Sequence, residues 1–201
     1  MAEARAGIAA EVTLALLEAI KTRDRPHEFL DDDDIYRTMP RRFGLSAVIE
    51  RQIELYRQRA RKGVRLTSAE LAEFMELVIR RPDSAEIFRE MGAALAMRQI
   101  PRRAWWLPQF LRLRRTKKRV RSSLRRLFGL RIGGFASGTF IFEVSASPFV
   151  QVDPSGDACE IVTGYCRQAL EKAVDSRMKV TKRRCENRGD GVCRWVAEFG
   201  P

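Results

Sequence analysis

Histidine is almost missing from this chain. One occurs among 201 residues, His27, flanked by Pro26 and Glu28. A lone imidazole in so polar a stretch reads as solvated, and no plausible His–nucleophile pair forms around it. Also missing are a glycine-rich phosphate loop and a dinucleotide fingerprint, so the expectation is a protein that is not an enzyme. No run of about 18 apolar residues occurs, which argues against a membrane-spanning helix. Glu3 near the start and Glu11 inside the first apolar stretch argue against a secretory signal. The expected compartment is the reducing cytoplasm. In such a compartment cysteines serve as thiols or metal ligands more often than as disulfides.

Acid is missing from one place. Between Pro101 and Arg131 there are 12 Lys or Arg and no Asp or Glu, which leaves the rest of the chain balanced at 26 of each and gives this one segment the whole net charge of +12. Its apolar residues are concentrated too. Trp105, Trp106, Phe110 and Leu111 precede Arg114, Arg115, Lys117 and Lys118, and Val120, Leu124, Leu127 and Phe128 then recur at helical spacing. Paired tryptophans beside clustered cations suit the interface of an anionic membrane, where each cation near the surface contributes about 1 kcal/mol. A solvated connector with its Trp pair packed on the core is the bland alternative. Nucleic acid ranks third, because no recognition motif accompanies the charge.

Before this segment the pattern is helical. Ile8, Val12, Leu16 and Ala19 predict a helix over 2–22. Ser46 caps a stripe of Ile49, Ile53, Tyr56 and Ala60 that Gly63 ends. Thr67 with Glu70 forms a capping box ahead of Leu71, Phe74, Met75 and Val78, and Asp83 with Glu86 caps a helix lined by Ile87, Phe88, Met91 and Leu95. The four acids Asp31 to Asp34 lack the alternation and glycine of a calcium loop, so they read as a solvated loop. The resulting division is a helical region over 1–99, a basic amphipathic connector over 100–131 and a C-terminal module over 132–201.

That module is where the remaining chemistry lies. Phe140, Phe142 and Val144 alternate with Ile141, Glu143 and Ser145 as a strand. Asp157 with Glu160 opens a helix carrying Ile161, Val162, Tyr165, Ala169 and Leu170. Met178 and Val180 form a strand signal that runs into Lys182-Arg183-Arg184, and Cys193, Trp195, Ala197 and Phe199 form another. Between them lies Cys185-Glu186-Asn187-Arg188-Gly189-Asp190-Gly191-Val192-Cys193, a turn-rich loop. A symmetric hairpin would set Cys185 opposite Cys193, close enough for a shared metal, a disulfide or two packed thiols. Cys159 and Cys166 are two helical turns apart, roughly 10 Å, so at most one of them can join the hairpin pair around one ion.

The loop with its strand and following aromatic, the strand Phe142-Glu143-Val144-Ser145-Ala146-Ser147-Pro148-Phe149, and the segment Ala158-Cys159-Glu160-Ile161-Val162-Thr163-Gly164-Tyr165 together resemble the vinyl-reductase-like, hydrocarbon-binding domain family over about residues 124–199. That resemblance implies an α+β, TRAPP-like fold: N-terminal helices, then a small antiparallel sheet with one helix across it. It implies an apolar small-molecule or tetrapyrrole-type ligand between sheet and helices, with Phe140, Phe142 and Tyr165 as candidate contacts, while the basic segment implies action at the inner face of a membrane. TRAPP subunits use the same fold as scaffold, so the alternative is a structural or assembly subunit of a membrane complex, such as a pigment–protein complex. Related sensor domains hold a structural zinc through three Cys and a Glu, which maps here onto Cys159, Cys185 and Cys193. The Glu of those sensors, three residues before the first hairpin Cys, is Lys182 in this chain. Glu186, Asp190 or water would complete the site only if the loop folds back, and Lys182, Arg183 and Arg184 would favour thiolates while repelling a divalent ion.

Overall fold

The computed structural model describes residues 7–24, 35–129, 132–137, 140–145, 149, 152–153 and 155–199, with backbone alone over 35–46. His27 and Asp31 to Asp34 lie outside the described residues. Among the described residues the fold is α+β, with six α-helices and two antiparallel sheets. In chain order these are β1 (Ile8–Ala9), α1 (Ala10–Arg23), α2 (Ile35–Arg61), β2 (Arg65–Leu66), α3 (Ser68–Ile79), α4 (Ser84–Gln99), α5 (Gln109–Phe128), β3 (Gly134–Phe135), β4 (Ile141–Val144), α6 (Glu160–Ala173), β5 (Met178–Arg184) and β6 (Cys193–Phe199). The strands order β3-β4-β6-β5 in the larger sheet, while β1 pairs with β2 in the smaller.

Local signals explain several of these boundaries. The Thr67–Glu70 capping box forms in full, with the Thr67 side chain accepting from Glu70 N–H and the Glu70 carboxylate accepting from Thr67 N–H. Three expected caps differ. Ser46 lies inside α2, which starts at Ile35 and passes through Pro40 and Gly44; a Ser cap is only a local preference, and a continuing helix overrides it. Asp83 sits at the N-terminus of α4 but makes no cap bond, because its carboxylate takes the Arg81 guanidinium at 2.9 Å. Asp157 likewise leaves its helix uncapped and accepts from Ser84 Oγ at 2.5 Å. The 3-10 turn that leads into that helix is held instead by Asp153. Its buried carboxylate accepts from Ala158 N at 2.5 Å and Ser155 N at 3.0 Å.

α1 begins at Ala10 and is buried on two sides. Val12, Ala15, Leu16 and Ala19 face the main core, while Ala10, Leu14 and Leu17 meet Ile53, Tyr56 and Leu66 in a smaller cluster. The main core is continuous from Ile8 through the α4, α5 and α6 stripes to Trp195 and Ala197. Within it α4 and α6 cross at close range. A Cβ on Gly92 would lie 2.0 Å from Ile161 O, and one on Gly164 would lie 1.9 Å from Arg89 O. The two helix backbones therefore touch, and glycine at both positions is a steric requirement. α6 then lies across the larger sheet, where Trp195 Nε1 of β6 donates to Thr163 Oγ1 at 3.0 Å.

Candidate functional site

The β5–β6 hairpin and the start of α6 bring three sulfurs together. Register pairs Lys182 with Trp195 and Arg184 with Arg194, with an irregularity between Lys182 and Arg184, so Cys185 and Cys193 emerge nearly opposite at the open end. Cys159 ends the 3-10 turn Asp157–Cys159 that leads into α6. The three Sγ atoms all lie within 4.8 Å of one another and all three cysteines are buried. Cys159 Sγ is 3.8 Å from Cys193 Sγ. Two sulfurs each about 2.3 Å from one tetrahedral ion lie roughly 3.8 Å apart, so this spacing fits a shared ion and is far beyond a disulfide bond. The three cysteines thus lie close enough to hold a metal ion. Cys166 stands apart on the buried side of α6, as helix geometry required.

The surroundings are built from backbone and charge. Glu186 N–H points at Cys193 Sγ at 3.4 Å, and Cys185 N–H donates to Asp190 Oδ2 at 2.9 Å. Asn187 Nδ2 donates to Asp153 O at 2.5 Å, tying the hairpin loop to the residue that holds the turn before α6. Gly156, at φ +83°, passes so near that a Cβ there would sit 3.2 Å from Cys185 Sγ. The hydrogen bond between Cys159 and Cys193, with the Glu186 N–H, holds the Cys193 thiol below the ordinary thiol range, while Cys159 is pushed up by that same contact and by burial. Burial alone pushes Cys166 up. Lys182 does not approach as a bare cation. Its Nζ is 3.2 Å from Glu160 Oε1 and donates to Gly156 O at 3.1 Å, and Glu160 also receives Arg89 at 3.1 Å.

The basic segment forms a second candidate surface. Leu107 is buried, Arg103 N–H donates to Lys172 O at 3.0 Å and Arg112 Nη1 donates to Val174 O at 3.0 Å. These contacts fix the segment to the C-terminal end of α6. Val120, Leu124, Leu127 and Phe128 turn inward. The Trp pair does not pack on the core: Trp105 is 84% exposed, Trp106 66% and Phe110 70%. Arg114, Arg115 and Lys118 are exposed beside them. Leu111 is half-buried, and Lys117 is half-buried with its Nζ 5.1 Å from the centre of the Phe135 ring, a cation–π contact.

No family model, curated protein or solved structure matches this chain.

Phe140, Phe142 and Tyr165 are fully buried. Phe135 packs edge-on to Phe140 and Phe142 at 4.8 and 5.1 Å, and Phe142 leans on Trp195 at 6.2 Å, so the two phenylalanines serve the core. The Tyr165 hydroxyl is buried without a hydrogen bond among the described residues. None of the three lines either of two concavities found elsewhere. One, of about 430 Å³, is open and bordered by Arg125, Gly134, Phe135, Glu143 and Ser145. The other, of about 260 Å³, is more enclosed and apolar, walled by Ile8, Leu71, Ala72, Met75, Phe149 and Val152. The 260 Å³ cavity escaped sequence reasoning because its walls come from β1, α3 and the stretch before α6. Among the described residues no helix is long and apolar enough to cross a membrane.

Proposed function

We propose that this protein is a non-catalytic binding protein that works at an anionic membrane surface and carries an apolar small molecule, as its resemblance to hydrocarbon-binding domains implies. The observation that carries this reading is the exposed apex of Trp105, Trp106 and Phe110 beside Arg114, Arg115 and Lys118. Three large aromatics held out in water by an anchored segment lose their unfavourable hydration by entering the headgroup region. The neighbouring cations then meet lipid phosphate and carboxylate, each worth about 1 kcal/mol. The apolar ligand is assigned to the 260 Å³ cavity beside α3, since Phe140, Phe142 and Tyr165 are occupied with core packing.

The hairpin cysteines belong to a structural centre in this reading. A zinc-class ion bound by Cys159, Cys185 and Cys193 would fasten the β5–β6 loop to the first turn of α6. The donor chemistry and spacing fit, and all three groups are buried away from substrate-sized solutes.

Co-sedimentation with vesicles tests the membrane assignment. Vesicles of phosphatidylcholine with phosphatidylserine should carry the protein down, pure phosphatidylcholine vesicles should not, and rising salt should release it. Trp105→Ala with Trp106→Ala should weaken binding while the fold persists. Equal binding to both vesicle types, or none to the acidic ones, refutes the reading. Tighter salt-sensitive binding to duplex DNA would transfer the surface to nucleic acid.

A further inference from the structure

Three sulfurs make one face of a tetrahedron, and the fourth corner must come from somewhere. This chain carries Lys182 three residues before the hairpin Cys, and its ammonium already donates to Glu160 and to Gly156 O. A protonated amine so engaged is no ligand. Asp190 is committed to the turn through its bond from Cys185 N–H. Glu160, next to Cys159 in sequence, is held by Lys182 and Arg89. Cys166 lies farther along α6 and is absent from the cluster.

Glu186 lies directly against one of the sulfurs. It follows Cys185 directly and opens the 3-10 turn Glu186–Arg188. That turn sets Glu186 beside Cys193. Its N–H is already 3.4 Å from Cys193 Sγ, and its Oε2 lies 3.9 Å from the same sulfur. A zinc-class ion at the sulfurs would take a carboxylate oxygen at roughly 2.0–2.2 Å.

We propose that Glu186 supplies the fourth ligand, making a Cys159–Cys185–Cys193–Glu186 tetrahedral centre in which the carboxylate comes from the turn rather than from β5. Lys182 then takes a new role. Three thiolates and one carboxylate around a divalent ion leave a net charge of −2, and an ammonium held beside the first turn of α6 offsets part of it. The cation that would repel a bare divalent ion is, beside a fully liganded one, a counter-charge. This assignment rests on the metal reading given above.

Cobalt(II) tests it, with full-length protein purified without chelator and stripped before titration. Wild type should take up about one cobalt per chain, with the strong visible bands of a tetrahedral ion and the near-ultraviolet absorption of thiolate-to-cobalt charge transfer. Glu186→Ala should bind at least about 10-fold more weakly in chelator competition and show altered visible bands with the charge-transfer intensity retained. Glu186→Cys should raise that intensity by about one third, because three sulfurs become four. Asp190→Asn, which keeps an acceptor for Cys185 N–H, should leave the spectrum unchanged. Circular dichroism identifies any variant that fails to fold, and Glu186 sits half-exposed on a turn where substitution is mild. If wild type binds cobalt and both Glu186 variants match it in affinity and spectrum, Glu186 is not a ligand. If wild type takes up no cobalt, the metal centre itself is refuted, and this assignment with it.

Discussion

Replacing Gly164 by alanine puts the packing argument at risk, because two effects of opposite sign compete. Alanine is the better helix former by about 1 kcal/mol, so an unobstructed site would gain stability. At Gly164 the new Cβ would sit 1.9 Å from Arg89 O, 2.8 Å from Arg89 C and 3.0 Å from its Cα, all main chain of α4. No rotamer change relieves a backbone clash. Restoring ordinary contact near 3.4 Å needs the helices to part by about 1.5 Å along that line. The parting would loosen the interface where Phe88, Met91, Ile161 and Tyr165 are fully buried, and gaps under 1 Å already forfeit a quarter to a half of a dispersion contact. Overpacking costs typically 1–3 kcal/mol and more where nothing can yield, so after the propensity gain we expect a net loss of about 2 kcal/mol. For a chain of this size that is a fall in Tm of roughly 4–8 °C, read by thermal circular dichroism. Gly134→Ala is the control, since only Arg121 Nε lies within 4.0 Å of its added Cβ, and it should change Tm little. A Gly164→Ala protein as stable as wild type would refute the backbone-contact reading of the α4–α6 crossing.

Two further outcomes follow from the site. Asp153→Ala removes the acceptor for Ala158 N–H and Ser155 N–H and should cost about 2 kcal/mol, with Asp153→Asn intermediate, in urea unfolding. Because Cys159 sits in the turn that Asp153 caps, zinc affinity by chelator competition should also fall in Asp153→Ala although no ligand is touched. Cys166→Ala should leave the zinc content at one per chain and lose only about 1 kcal/mol of packing, whereas Cys185→Ser should abolish zinc and lower Tm; zinc loss in Cys166→Ala would misplace the centre.

Much of the local architecture was legible because its causes are local. The Thr67–Glu70 box, the alternating faces of β6 and the inward stripe of α5 each depend on residues a few positions apart. Helical rise alone separated Cys159 from Cys166, and the structure brings Cys159 to the hairpin pair as that argument allowed. What escaped depended on distant partners. Asp83 abandons its cap for Arg81, Asp157 for Ser84, and Asp153 holds the 3-10 turn before α6 from outside the pattern. The backbone contact at Gly92 and Gly164 needs two helices separated by some 70 residues to cross, which no periodicity reports. Phe199, expected on the buried face of β6, is 57% exposed at the last residue of that strand, where it pairs with the first residue of β5. The second face of α1, with Leu14 and Leu17, is buried only because α2 packs there.

Tryptophan fluorescence tests membrane docking most directly. The chain has three tryptophans; Trp195 is fully buried and serves as an internal reference, while Trp105 and Trp106 face water. Titrating phosphatidylserine-containing vesicles should shift the emission to shorter wavelength as the exposed pair enters the interface. The shift should reverse with salt and disappear in Trp105→Phe with Trp106→Phe, which leaves Trp195 as the sole emitter. Emission that stays unchanged at saturating acidic vesicles, or that shifts equally with neutral ones, would contradict the account.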